Sequence, residues 1–155
     1  MWKPLSKDKV FVIKPDICIG CRSCQLACSF HKAQMVDFSS AAIAVYRKHE
    51  NASAVPLVCM QCEDPKCLKS CPAQAITKDE QSGVVKIDPD KCIHCKTCLH
   101  ACPFGNIRHS VALDRMVKCD YCGGTPTCQQ VCPVGAIDLV DASDFSVECI
   151  PLGLE

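Results

Sequence analysis

Aromatic side chains are scarce in this chain, with one Trp, two Tyr and five Phe among 155 residues. Aromatic rings supply much of the buried area of an ordinary domain, so the apolar core is small for the length. Net charge is absent as well, since 17 Lys and Arg balance 17 Asp and Glu. That balance removes the bulk electrostatic case for nucleic acid as a partner. The longest apolar runs, around Ala41 to Tyr46 and Ile150 to Leu154, fall far short of the roughly 18 residues of a membrane span. Met1-Trp2-Lys3-Pro4-Leu5-Ser6-Lys7 lacks the apolar stretch of a secretory signal, so a soluble, cytoplasmic protein is expected. There is no nucleophile–base pair and no phosphate loop, which argues against bond chemistry by the chain itself.

Cysteine is what the chain has in excess, at 17 residues. Counting it as hydrophobic gives 48 % apolar residues, and leaving it out gives about 37 %. Cysteine must therefore bind something that replaces core: disulfides, zinc or iron-sulfur clusters. An odd count leaves one thiol over, which weakens the disulfide reading.

The cysteines fall into four groups of four: Cys18, Cys21, Cys24, Cys28; Cys59, Cys62, Cys67, Cys71; Cys92, Cys95, Cys98, Cys102; and Cys119, Cys122, Cys128, Cys132. Cys149 remains, and an ordinary tail thiol is the simpler reading of it. The flanking residues repeat too. Ile13-Lys14-Pro15-Asp16-Ile17-Cys18-Ile19-Gly20-Cys21 returns 74 positions later as Ile87-Asp88-Pro89-Asp90-Lys91-Cys92-Ile93-His94-Cys95, and Cys71-Pro72-Ala73-Gln74-Ala75-Ile76 matches Cys132-Pro133-Val134-Gly135-Ala136-Ile137. The first and third groups are one structural unit, and the second and fourth another.

Short strands are expected at Val10–Ile13, Ile43–Arg47, Val84–Ile87 and Ala136–Val140, with a hairpin joining Ala75–Thr77 to Val84–Ile87 and a loop at Glu50–Ser53. Helix is expected only in short pieces around each Cys-x-x-x-Cys. Residues 29–58 form the longest cysteine-free insertion.

Three thiolates spaced by two residues can wrap one cubane, whereas structural zinc usually takes pairs from two separate knuckles. The spacing favours four 4Fe-4S clusters. The x3 gap sets the third and fourth cysteines one helical turn apart, about 5.4 Å, so one turn can reach two clusters, as in bacterial ferredoxins. Proline follows the fourth cysteine in three groups and turns the chain away; Ser29 stands there in the first.

The second and third groups are joined by 20 residues that read as one hairpin, which makes them a contiguous pair and leaves the first and fourth to pair around it. The expected ligand sets are Cys18, Cys21, Cys24 with Cys132; Cys119, Cys122, Cys128 with Cys28; Cys59, Cys62, Cys67 with Cys102; and Cys92, Cys95, Cys98 with Cys71. The fold expected is α+β: two interleaved bacterial-ferredoxin-like dicluster modules with short strands, short helices and much loop. The inner module covers residues 58–112 and the outer one residues 1–57 plus 113–155.

Val58-Cys59-Met60-Gln61-Cys62-Glu63-Asp64-Pro65-Lys66-Cys67 and Lys118-Cys119-Asp120-Tyr121-Cys122 resemble the four-cluster ferredoxin subunits of molybdenum and tungsten pterin oxidoreductases, over about residues 10 to 140. The resemblance implies a non-catalytic subunit whose clusters link a large pterin-containing subunit to a second partner, flavin/NAD-linked or another ferredoxin. With Gly123-Gly124-Thr125-Pro126-Thr127 short, the chain resembles the small iron-sulfur subunits of tungsten aldehyde oxidoreductase and benzoyl-CoA reductase complexes, proteins of anaerobic metabolism. Alternatives are a freely diffusing polyferredoxin, a subunit of a hydrogenase or carbon monoxide dehydrogenase system, and a zinc-based interaction module. Self-association into a longer cluster chain is a further possibility.

Four oxidised clusters bring about −8 to the formal zero charge. Lys14, Arg22, Lys66, Lys69, Lys91, Lys96 and Lys118 lie in or beside the cysteine groups; most are expected to be solvated. His31 and His94 adjoin cluster cysteines, but with four thiolates per cluster they are not expected as ligands. Lys3, Lys7, Lys9 and Lys14 crowd the start, and only acids, Asp120, Asp138, Asp141, Asp144, Glu148 and Glu155, follow Cys119. The two ends are expected to lie side by side.

Overall fold

A computed structural model describes residues 9–47 and 54–144. Eight short strands form four separate two-stranded antiparallel sheets. β1 (Lys9–Ile13) pairs with β8 (Ile137–Asp141), β2 (Ala44–Arg47) with β3 (Ala54–Leu57), β4 (Ile76–Lys78) with β5 (Val85–Ile87), and β6 (Ile107–Ser110) with β7 (Arg115–Lys118). Among the described residues lie four α-helices, α1 (Ser23–Ala33), α2 (Lys66–Lys69), α3 (Thr97–Ala101) and α4 (Thr127–Gln130), and three short 3-10 turns. Short strands and short helices joined by much loop are what the spacing implies.

The repeat in the sequence is a repeat in space. β1 pairs with β8 and α1 meets α4, just as β5 pairs with β4 and α3 meets α2. The Lys14 amide donates to the Ala136 carbonyl at 2.9 Å, and its counterpart Asp88 donates to Ala75 at 2.7 Å. Lys9 lies opposite Asp141 in the ladder, and Lys14 Nζ reaches Asp138 at 4.0 Å. The two oppositely charged ends therefore do pair where they are described; Lys3, Lys7, Glu148, Glu155, Cys149 and the loop expected at Glu50–Ser53 lie outside the described residues.

Two apolar clusters fill the interior. One gathers Ile43, Val45, Val58, Val84, Val117, Tyr121 and Ile137, and the other Ile76, Val85, Ile107 and Met116. Side chains alternate along a strand, so neighbours Val84 and Val85, and Met116 and Val117, serve opposite cores. β5 and β7 thus form the wall between them. The β6–β7 hairpin also crosses from residue 112 to 113, tying together the two modules expected from the cysteine pairing.

α1 runs for 11 residues where its counterparts stop after four or five. Proline follows Cys71, Cys102 and Cys132, and a proline cannot continue a helix that must donate its N–H. Ser29 permits the helix to continue through Cys28, and its Oγ donates back to the Leu26 carbonyl at 2.8 Å. Placing proline after the fourth cysteine here too should therefore damage the protein. Ser29→Pro is expected to destabilise it by about 3 kcal/mol or more, read as a lowered thermal midpoint of the iron-loaded chain.

Candidate iron-sulfur sites

All sixteen motif cysteines are free thiols in the structure. They gather in four sets that each cross between groups. Cys92, Cys95 and Cys98 line a cavity of about 320 Å³ with Cys71; Cys119, Cys122 and Cys128 line one of about 300 Å³ with Cys28; and Cys18, Cys21 and Cys24 line one of about 290 Å³ with Cys132, each volume counting space open to solvent. Around the fourth set, burial pushes the Cys62 and Cys67 thiols up, and the charges of Cys59 and Cys102 add to the rise. Cys28 faces Cys122 and Cys128 rather than Cys18.

One helical turn carries thiols to neighbouring sets, so the sets form a row. Burial raises Cys98 to about 11, with Cys92, Cys67, Cys71 and Cys95 contributing. It raises Cys128 to about 12, with Cys28, Cys122 and Cys24 contributing. Cys119 is driven well above the usual thiol range by complete burial and by Cys59 and Cys128. Cys67 and Cys98 lie in one buried cluster, and Cys24, Cys128, Cys59 and Cys119 in the other; the charges of Cys67 on Cys98 and of Cys24 on Cys128 link the two sets of each pair, and that of Cys59 on Cys119 links the pairs. The order is Cys18/21/24/132, Cys119/122/128/28, Cys59/62/67/102, Cys92/95/98/71.

Local backbone prepares the thiols as acceptors. After Cys71, Cys102 and Cys132, the carbonyl of the cysteine accepts from Gln74, Gly105 and Gly135 at 3.2, 3.3 and 3.3 Å. Those three residues have φ of +51°, +63° and +63°, and each reversal aims the next amide at sulfur. Ala75, Asn106 and Ala136 donate to the Cys71, Cys102 and Cys132 Sγ atoms at 3.3, 3.4 and 3.2 Å. Cys28 has no such turn, and the Ala42 amide from the long insertion replaces it at 3.3 Å. Hydroxyls assist the exposed members: Thr97 Oγ1 donates to Cys95 Sγ at 3.3 Å, and bonds from Ser23, side chain first, lower Cys21 as those from Thr97 lower Cys95.

Four soft thiol donors around an apolar cavity, with amides directed at sulfur, fit iron-sulfur clusters. Burial pushes the Cys24 and Cys98 thiols up to about 11, so binding iron as thiolate works against burial as well as against the proton. Neither His31 nor His94 is buried among these thiols; both are exposed. Of the seven cations near the groups, Arg22 and Lys96 are exposed, and Lys14, Lys66, Lys69 and Lys91 form surface pairs with Asp138, Asp64, Asp64 and Asp88. Lys118 alone is buried.

Spacing rules did not single out the polar groups between the second and third sets in the row. Gln61 is fully buried; its Nε2 donates to the Cys119 carbonyl at 2.7 Å, and its Oε1 accepts from the Val85 amide at 2.9 Å and Lys118 Nζ at 3.1 Å. Asn106 Nδ2 donates to the Val58 carbonyl at 2.8 Å. The signal for Gln61 and Lys118 was only their place inside and beside Cys-x-x-Cys. Gln61→Leu would strand three buried partners, one of them an ammonium. It is expected to cost about 3 kcal/mol or more, measured by denaturation of the iron-loaded protein.

Residues 50–142 match the 4Fe-4S dicluster domain and residues 15–31 the 4Fe-4S binding domain. The polyferredoxin-like subunit of aliphatic sulfonate oxidoreductase from Pyrococcus furiosus is 36 % identical over 121 residues, 77 % of this chain and 69 % of that one. The B subunit of anaerobic dimethyl sulfoxide reductase from Escherichia coli is 36 % identical over 124 residues, 72 % of this chain and 60 % of that one. The beta subunit of NADH-dependent phenylglyoxylate dehydrogenase from Aromatoleum evansii is 38 % identical over 114 residues, 72 % of this chain, and the match spans 26 % of its own length. Among solved structures, the active-site complex BamBC of benzoyl coenzyme A reductase with zinc matches with a TM-score of 0.52 at 25 % identity, over 86 % of this chain and 78 % of that one. Sixteen cysteines in dicluster spacing thus carry four 4Fe-4S clusters, and the chain belongs to the 4Fe-4S dicluster ferredoxin family.

Proposed function

We propose that this chain is the electron-transfer subunit of a larger oxidoreductase, holding its four clusters in a row between a large catalytic subunit that carries a molybdenum or tungsten pterin and a second redox partner. The observation that supports this most is the row itself, in which each thiol set shares a helix or a buried cluster with the next. Bound clusters supply reversible one-electron transfer. The chain keeps the inner thiols dry, directs amides at sulfur, and leaves the row accessible at both ends. Cys21 and Cys95 are exposed, beside Ile19 and Ile93, which are 58 % and 65 % exposed. Such apolar residues over a terminal site suit docking of a protein partner.

In this reading the ligands are Cys18, Cys21, Cys24 and Cys132; Cys119, Cys122, Cys128 and Cys28; Cys59, Cys62, Cys67 and Cys102; and Cys92, Cys95, Cys98 and Cys71. The two modules are residues 58–112 and residues 1–57 with 113–155. The likeness to the BamBC complex favours a partner of the tungsten aldehyde oxidoreductase or benzoyl-CoA reductase type. Among the described residues no helix is long and apolar enough to cross a membrane.

Anaerobic purification should give about 16 Fe and 16 sulfides per chain, together with a large subunit containing tungsten or molybdenum. A monomer that retains its iron and brings no companion would contradict the subunit reading and favour a diffusing polyferredoxin. The ligand scheme is tested by crossed variants: Cys132→Ala and Cys21→Ala should alter the same cluster signal in electron paramagnetic resonance, and Cys28→Ala should alter that of Cys122→Ala. Cys28→Ala perturbing the Cys21 signal would overturn the scheme.

A further inference from the structure

Lys118 ends β7 at the junction of the two central thiol sets, and it is the one buried charged side chain among the described residues, 6 % exposed. Its Nζ donates to the Val85 carbonyl at 2.7 Å, Gln61 Oε1 at 3.1 Å and the Cys119 carbonyl at 3.2 Å. These three neutral acceptors use all the hydrogens of an ammonium. None of the described carboxylates forms an ion pair with it. A buried ammonium without a counter-ion is strongly unfavourable, and the carboxylate nearest in sequence, Asp120, is paired with Lys32 instead. The ammonium thus touches both sides of the junction, through the carbonyl of Cys119 on one and through Gln61, the neighbour of Cys62, on the other. Cys62 and Cys67 belong to one central set and Cys119 to the other.

We propose that Lys118 is the built-in counter-charge shared by the two central clusters and raises the reduction potential of both. The inference rests on the ligand sets proposed above. Reduction adds one electron and one negative charge beside a fixed cation, so the reduced form is favoured, and no proton need move. The electron comes from the neighbouring cluster, or from dithionite in a titration. Lys32, which lines the cavity of one central set, is neutralised by Asp120 at 2.6 Å, and Lys14, Arg22, Lys66, Lys69, Lys91 and Lys96 are exposed or paired at the surface, where solvent screens them; Lys118 is held in the interior, where screening is weak. Lys118 is thus a positioning residue for electron flow through the middle of the row.

The test is an anaerobic redox titration, monitored by electron paramagnetic resonance, of the iron-loaded chain and of Lys118→Gln, Lys118→Met and Lys118→Arg. In both neutral variants two of the four clusters should become at least tenfold harder to reduce, a fall of about 59 mV in midpoint potential. These should be the clusters whose signals Cys28→Ala and Cys102→Ala alter, while the end clusters keep their potentials. Lys118→Arg should keep the potentials of the unaltered chain. Unchanged potentials, an equal shift of all four clusters, or failure of arginine to preserve the potentials would overturn the proposal. Loss of iron from both neutral variants would also overturn it, by making Lys118 a folding residue. An unaltered chain that binds no iron would instead remove the cluster reading beneath it.

Discussion

Four thiols closing on one cavity from opposite ends of the chain constrain everything else in this molecule. Cys24 meets Cys132 although 108 residues separate them. The elements brought together this way are weak by themselves. Two-stranded sheets are marginal in water, helices of four or five residues are far below the length at which helix sustains itself, and the aromatic contribution to the larger core is chiefly Phe11 set edge-on to Tyr121 at 5.0 Å. Clusters held by these thiols would supply the cohesion that apolar burial does not, as metals do in other small metal-dependent domains.

The same constraint accounts for the unusual polarity of the interior. A chain whose clusters are strongly negative must bring compensating dipoles and charge inward, and it does so by backbone geometry more than by side chains. Residues with positive φ recur inside and after the cysteine groups: Gly20, Arg22, Gln61, Gln74, His94, Lys96, Gly105, Tyr121 and Gly135. Gly20 is the position where glycine matters most, since a Cβ there would come within 2.8 Å of the Arg47 guanidinium that clamps this loop through the Ile19 and Gly20 carbonyls. Its counterpart His94 adopts φ +57° as an exposed residue.

Much of the fold was legible in the residues alone because cysteine spacing reports directly on cluster geometry. β1, β2, the β4–β5 hairpin and β8 carried β-branched runs between turn residues, and they formed where expected. β3 did not announce itself, since Pro56 interrupts it; in a two-stranded sheet a proline can face its missing donor away from the partner, and Pro56 lies opposite Val45 in the ladder. The β6–β7 hairpin was also hidden. Its turn, Val111 to Asp114, has neither Gly nor Pro, and Arg115-Met116-Val117-Lys118 buries three consecutive residues because each face of β7 meets a different core. Ser29 was recognisable as a departure from Cys-Pro, but that Ala42 would supply the missing amide depends on how a cysteine-free insertion folds back, and no local pattern encodes it. Gln61 and Lys118 were likewise ordinary polar residues until burial joined them.

That clusters stand in for the core can be checked by far-ultraviolet circular dichroism of the anaerobically purified chain during removal of iron with a strong chelator. Strand and helix signal should fall in step with loss of iron and recover on anaerobic reconstitution. A chain that keeps its secondary structure and a cooperative thermal transition after all iron has gone would contradict this.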